Sequence, residues 1–372
     1  MTTLLRSISE LYGQALSPAV VHRGELLSVQ RLRGLAVFMV LVVHLLDVAH
    51  KLPGWEQAGR LYIDRLGYSA PDMFFVISGF IMSYITFTTR FEPRRWLISR
   101  FFRIFPLYMF FTGLLVMLWL YNPNMTMGSG SHDWESVTQS LLMLPQERLP
   151  LLFVGWTVEH ELVFYATVFL VARFLGSRWL LTVMLGLSVL ALCKWCLQAW
   201  SDVSFWDFHV LSLYMLQFTM GALVYRHWEW LRRFGQWRPL ALAAVLVVLG
   251  MLFAESGEIN QENPIRVLAF GGAYSLLLLT LLNREKVQRE AGRQWTQRDI
   301  MVRLGDASYS IYLTHPFVLG VFGKLYLYLM PSASTAWMLV VASFLATLAV
   351  GMAAHVLLEK PIIEIGKRLS KA

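Results

Sequence analysis

Ten residues, almost all apolar, separate Arg33 from His44 in the run RLRGLAVFMVLVVH. Eleven helical steps bring the two side chains back to nearly one face, about 16 Å apart along the axis. A guanidinium at one end of such a face can hold a phosphate through two parallel hydrogen bonds. An imidazole deep in the apolar run can take a proton from a hydroxyl as a general base in its neutral form. Each residue has a plainer reading as well: Arg33 as a positive anchor at a membrane edge, His44 as a hydrogen-bonded bridge between helices.

Further polar groups fall in apolar surroundings. An ionisable group inside a membrane span costs about 2.5–3.5 kcal/mol on insertion scales, so each calls for a partner, a wet cavity or a task. Glu161 of the segment GWTVEHELVFY lies about ten residues, or roughly 15 Å, into the span predicted from 151, a depth like that of His44, where it can orient the base, bind hydroxyls or form a buried ion pair. Trp156 and Tyr165 of the same segment suit a ligand path, an aromatic belt or core packing equally. Glu159 and Glu161 stand two residues apart on different faces, which argues against a paired-carboxylate glycosidase. In LGDASYSIYLTHP, Ser308, Tyr312 and His315 form a polar stripe, and Pro316 is expected to kink the helix and open room beside His315. Arg100 and Arg103 share a face in RFFRIFP and can clamp a pyrophosphate or anchor the membrane edge. Asp72 can hydrogen-bond a hydroxyl-rich ligand or cap a loop. Ser78 and Gly79 permit close helix approach, and no GxSxG elbow surrounds Ser78. Glu359 is expected to pair locally with Lys360 before Pro361.

The elements that must position these groups are membrane helices. Of 372 residues, 56% are hydrophobic and 15% charged, with mean hydropathy +0.53. Soluble domains carry about 25% charged residues. Ten apolar segments are predicted to span, at 34–50, 68–89, 102–121, 151–172, 179–198, 208–226, 239–255, 265–283, 304–329 and 335–357. Most of the 32 Lys and Arg fall on one side of that arrangement, which places both termini in the cytoplasm. The net charge of +8 is spread over short loops without a zinc-finger or RNA-binding pattern, so anionic lipid or an anionic donor is expected, and no nucleic acid. Cys193 and Cys196 form a lone CKWC with no second pair, and no metal site is expected. Residues 1–30 read as a cytoplasmic segment in which SISELYGQAL resembles an amphipathic surface helix, 31–361 as the membrane domain, and 362–372 as a cytoplasmic tail.

Taken in order, RLRG at 31–34 with His44, FFVISGF at 74–80, RFFRIFP at 100–106, WTVEHELVFY at 156–165 and SYSIYLTHP at 308–316 resemble the acyltransferase-3 family of bacterial integral membrane proteins, nearest the exopolysaccharide-production branch. The resemblance implies an all-α, multi-pass protein of the bacterial inner membrane. Its implied activity is the transfer of an acyl group, usually acetyl from acetyl-CoA, to a hydroxyl of an exported polysaccharide or lipid-linked oligosaccharide. It implies His44 as the essential base, Arg33, Arg100 and Arg103 near the donor, and Glu161 and His315 as further motif residues, with Thr157 where the family has serine. The partners implied are acyl-CoA, the glycan acceptor, membrane lipids and proteins of polysaccharide assembly, with no metal. No hydrolase-like extension accompanies the membrane domain in this sequence, so a second transfer step is expected to need a separate partner. A glycan transporter or flippase, or a structural component of an export complex, is the competing class.

Overall fold

The computed structural model describes residues 26–50, 52, 63–88, 91–122, 130, 132–201, 205–255, 262–292, 299–329 and 332–371. The amphipathic helix expected within 1–25 lies outside the described residues. Those described form helices and no strand: α1 (Leu27–Ala49), α2 (Ile63–Gly67), α3 (Ala70–Thr88), α4 (Pro93–Tyr121), α5 (Trp134–Leu142), α6 (Gly155–Leu170) and α7 (Leu180–Trp200). They continue as α8 (Met215–Leu231), α9 (Trp237–Leu252), α10 (Pro264–Glu290), α11 (Ile300–Asp306), α12 (Ser308–Leu329), α13 (Ala333–Ala354) and α14 (Lys360–Leu369).

Helix occupies most of each predicted span, with 151–154 and 208–214 outside it, because apolar side chains leave the backbone to satisfy its own polar groups in lipid. Six helical stretches are long and apolar enough to cross a membrane, and a seventh if α8 and α9, bent by 115°, act as one. The protein is therefore a multi-pass, all-helical membrane protein. α6 has only 16 residues in regular α-helix, although a π turn at Val171–Leu175 prolongs it. The segment expected to become helical at 208 does so only at Met215. Asp207 explains the delay: its Oδ2 accepts from the Leu211 amide at 3.0 Å and from Lys194 at 2.9 Å, fixing a turn in which Phe208 and His209 take left-handed φ values of 55° and 63°.

Small residues set the helix spacing. A Cβ on Gly79 would stand 1.9 Å from the Phe218 carbonyl oxygen, and one on Gly221 1.9 Å from that of Val76, so α3 and α8 touch backbone to backbone, as expected for Gly79. Gly305 lies against the Gln30 carbonyl in the same way and docks α11 on α1. The rings of Phe164 and Phe218, 4.1 Å apart, seal α6 to α8. Apolar residues facing away from this core, such as Val189 on α7, Val245 on α9 and Val321 on α12, are exposed, as lipid-facing positions are.

Pro316 does not open the space expected of it. α12 runs unbroken past the proline, and the rings of His44 and Phe153 occupy the neighbourhood of His315, which is 0% exposed.

Candidate active site

Helices α1, α3, α4, α6 and α12 enclose a cavity of about 100 Å³. Arg33 on α1 and Arg100 and Arg103 on α4 line it together, so the two arginine motifs converge although they lie far apart in sequence. Glu161, Tyr165, Ser308 and Tyr312 line it as well. With Arg103 paired to Glu359, Arg33 and Arg100 face the carboxylate of Glu161, a net positive lining suited to an anion.

The three arginines differ in how they are held. Arg103 Nη1 donates to Glu359 Oε1 at 2.9 Å, and the other oxygen of Glu359 accepts from Ser310 Oγ at 2.6 Å and pairs with His355 Nδ1 at 2.7 Å. The local pairing of Glu359 with Lys360 is therefore corrected: the carboxylate turns inward from the π turn His355–Glu359 and holds α4 and α12 together. Arg100 donates to Ser99 Oγ at 3.2 Å, and its guanidinium lies 5.9 Å from the Tyr165 ring centre. Arg33 is half-buried and has no hydrogen bond or ion pair among the described residues. Arg31, its neighbour on another face, pairs with Asp299. An unpaired guanidinium in a membrane helix is tolerable only against water or a ligand anion, and Arg33 faces such a space.

Glu161 Oε1 accepts from Ser78 Oγ at 2.7 Å and from Tyr165 Oη at 2.6 Å. It is tied to the arginine cavity, and the structure does not place it as the orienter of His44. Ser78 serves Glu161 as a donor, and no histidine is hydrogen-bonded to it among the described residues. Ser308 Oγ, buried on the cavity wall, lacks a partner and offers a donor to whatever binds there.

His44 opens on a separate small cleft whose walls include Tyr68, Phe153, Val154, Trp156 and Tyr312. Its Nδ1 lies 3.2 Å from Asp47 Oδ2, which also accepts from Tyr68 Oη at 2.6 Å. A carboxylate shared in this way accepts the Nδ1 proton and leaves Nε2 as the free basic nitrogen. Asp47 and Tyr68 are residues that the sequence reading missed. The signal for Asp47 was present as a histidine and a carboxylate three apart on one helix. His315 stacks on His44, ring centres 5.0 Å apart and planes 20° from parallel, and neither of its nitrogens has a partner in good geometry.

The single face proposed to link Arg33 with His44 is thus divided. Tyr312 lines both spaces and is the wall between them, with its hydroxyl within 3.0 Å of Thr157 Oγ1 and 3.2 Å of the Val154 carbonyl. Trp156 belongs to the His44 cleft and not to the arginine cavity. Asp72 lines neither of these spaces. Both its oxygens are held by Arg266, at 3.0 and 2.9 Å, and Gln217 donates to one of them, so it locks α3 to α10 rather than presenting a free carboxylate to a ligand. Cys193 and Cys196 are free and exposed on α7, and no group of residues able to hold a metal occurs among those described.

The chain matches the family model described as acyltransferase domain over residues 26–356. It is 30% identical over 325 residues, 84% of this chain and 94% of the relative, to the exopolysaccharide production protein ExoZ of Rhizobium meliloti (strain 1021). It is 24% identical to the acyltransferase MdmB of Streptomyces mycarofaciens, with 94% of each chain covered. No solved structure matches it. The ordered motifs, the convergence of their residues and the extent of the match together make this chain a member of the acyltransferase-3 family.

Proposed function

We propose that the protein transfers an acetyl group from acetyl-CoA to a hydroxyl of an exported polysaccharide at the bacterial inner membrane. The observation that carries this reading is an unpaired Arg33 in a cationic cavity, set across Tyr312 from a histidine oriented by Asp47. Similarity to an exopolysaccharide production protein supports the acceptor class. With ten crossings and both termini cytoplasmic, as the lysine and arginine distribution favours, the arginine cavity faces the cytoplasm and the His44 cleft the opposite side.

In this mechanism the donor's phosphates sit at the arginines and its thioester reaches Tyr312. A cavity of about 100 Å³ holds only a few water molecules, so seating the thioester requires the Tyr312 ring to swing. His44 Nε2 takes the proton of the acceptor hydroxyl as its oxygen attacks the thioester carbonyl. The tetrahedral intermediate collapses, the carbon–sulfur bond breaks, and the imidazolium returns the proton to the departing thiolate. Ser308 Oγ, one helical turn before Tyr312, is the hydroxyl that would donate to the developing oxyanion. The enclosing helices exclude water and protect the thioester from hydrolysis.

Mass spectrometry of exported polysaccharide from cells lacking the gene, complemented with wild type or His44→Ala, tests the reading. Acetyl-mass increments restored by wild type alone are expected. Acetylation that is intact without the gene removes the proposed activity, and restoration by His44→Ala removes the assigned base.

A further inference from the structure

The mechanism delivers a hydroxyl to His44 but does not account for a second space at the same end of the bundle. A cavity of about 400 Å³ lies between α5 with its following loop and the turn that begins at 205. Trp206 and Phe208 form its aromatic side, with Phe208 60% exposed and Trp206 set edge-on to His209 at 4.8 Å. Asp133, Glu135, Glu147 and Arg148 contribute charged groups.

Gln146 identifies the chemistry. It is only 6% exposed, and its Nε2 donates to Ser140 Oγ at 3.2 Å and to Glu159 Oε1 at 3.1 Å, which fixes the amide orientation. The residue lines the cavity, and its Oε1 is buried with no donor among the described residues. A buried carbonyl oxygen without a donor costs about 1–3 kcal/mol, and a ligand hydroxyl removes that cost. Three carboxylates against one arginine repel an anion such as a phosphate headgroup, while they accept readily from hydroxyls. Aromatic faces beside polar acceptors suit a molecule with apolar C–H faces and hydroxyl edges.

We propose that this cavity is a subsite for a neutral carbohydrate chain, holding the acceptor several units away from the hydroxyl that reacts; the assignment of that chain as acceptor rests on the function proposed above. Continuity of the polypeptide supports the link. Pro145 and Gln146 line the subsite, and Phe153 and Val154 of the same loop line the His44 cleft. Gln146 also bonds Glu159 on α6, three residues beyond Trp156 of that cleft.

The test uses full-length protein in lipid nanodiscs and, as probe, polysaccharide recovered from the source cells and stripped of esters by mild base. Binding is measured without acetyl-CoA, and acetyl transfer is measured separately with radiolabelled acetyl-CoA. Saturable binding by wild type is expected, weakened about tenfold by Trp206→Ala. Glu147→Gln, at an exposed side chain that cannot unfold the protein, is expected to weaken it about fivefold with affinity for acetyl-CoA unchanged. No binding by wild type, or equal binding by wild type and Glu147→Gln, overturns the subsite. Binding that the variants weaken, without any acetyl transfer by wild type, keeps the subsite and overturns the acetyltransferase reading instead.

Discussion

Arg266 and Arg33 are both arginines of the membrane domain, and their surroundings are opposite. Arg266 and Asp72 are each 1% exposed, joined by two hydrogen bonds and further engaged by Gln217 and the Tyr68 carbonyl. Arg33 faces a cavity and has no hydrogen bond or ion pair among the described residues. A satisfied pair of this kind orders helices and leaves nothing for a ligand, whereas an unsatisfied cation is a stored preference for an anion. The contrast separates structure from chemistry better than residue type does, since Asp72, open in the sequence to a ligand or a cap, is paired with Arg266 instead.

The largest effect should come from breaking the satisfied pair. Asp72→Ala strands the Arg266 guanidinium and should cost about 3–5 kcal/mol of stability, read as loss of folded protein in thermal unfolding in detergent. The double variant Asp72→Leu with Arg266→Met should recover most of that loss, because an apolar pair removes both desolvation costs. A fully stable Asp72→Ala would return Asp72 to the list of ligand-binding groups. Arg33→Gln should do the reverse: unfolding stays as in wild type or moves up slightly, while the KM for acetyl-CoA rises about 10–100-fold through loss of a charged hydrogen bond. Arg33→Gln that unfolds with an unchanged KM would make Arg33 a second structural arginine.

The pH dependence of stability sharpens the comparison at the other end of the bundle. Burial, reinforced by the stacked His160, pushes His209 down from 6.5 to about 3. Glu159 Oε2 stands 3.4 Å from its Nε2, and Glu262 and Lys194 are its other charged neighbours. The unfolded chain takes up a proton below about 6.5 that the folded one refuses, so this contribution is fully present above 6.5 and is lost as pH falls toward 3. Between pH 7 and 5 the loss should be about 1–2 kcal/mol, and His209→Gln should flatten that slope in a thermal-unfolding series. The smallest effect is expected at the wall. Tyr312→Phe removes a neutral hydrogen bond worth about 1 kcal/mol, leaves the fold intact and should raise acetyl-CoA hydrolysis in the absence of acceptor, because the ring is freer to swing. Unchanged hydrolysis would mean that Tyr312 is not what separates the two spaces.

The helices were legible because lipid leaves a sequence few choices, since an apolar run must satisfy its backbone internally, but their number was not: six stretches, or seven with the bent pair, are long and apolar enough to cross where ten were expected. That Arg33, Arg100 and Arg103 belong together was legible in their motifs, whereas the sequence did not place Glu161, Tyr165, Ser308 and Tyr312, expected beside the base or the acceptor, in the same space. Pairing was not legible. Asp72 and Arg266 lie 194 residues apart and Arg103 and Glu359 256 apart, and nothing local distinguishes a carboxylate that will meet an arginine from one that will meet a ligand. The same limit hid the division of the α1 face, because the wall between Arg33 and His44 is a tyrosine from α12. Asp47 was within reach of the helical spacing, and Tyr68, from the chain before α3, was not.

In the proposed mechanism a donor bound at the arginines on one side is joined to an acceptor at His44 on the other. Proteoliposomes with ester-free polysaccharide sealed inside and radiolabelled acetyl-CoA added only outside test this directly. Label is expected on the enclosed polysaccharide with wild type and none with His44→Ala. Label that forms only when donor and polysaccharide share a compartment, or that persists with His44→Ala, contradicts it.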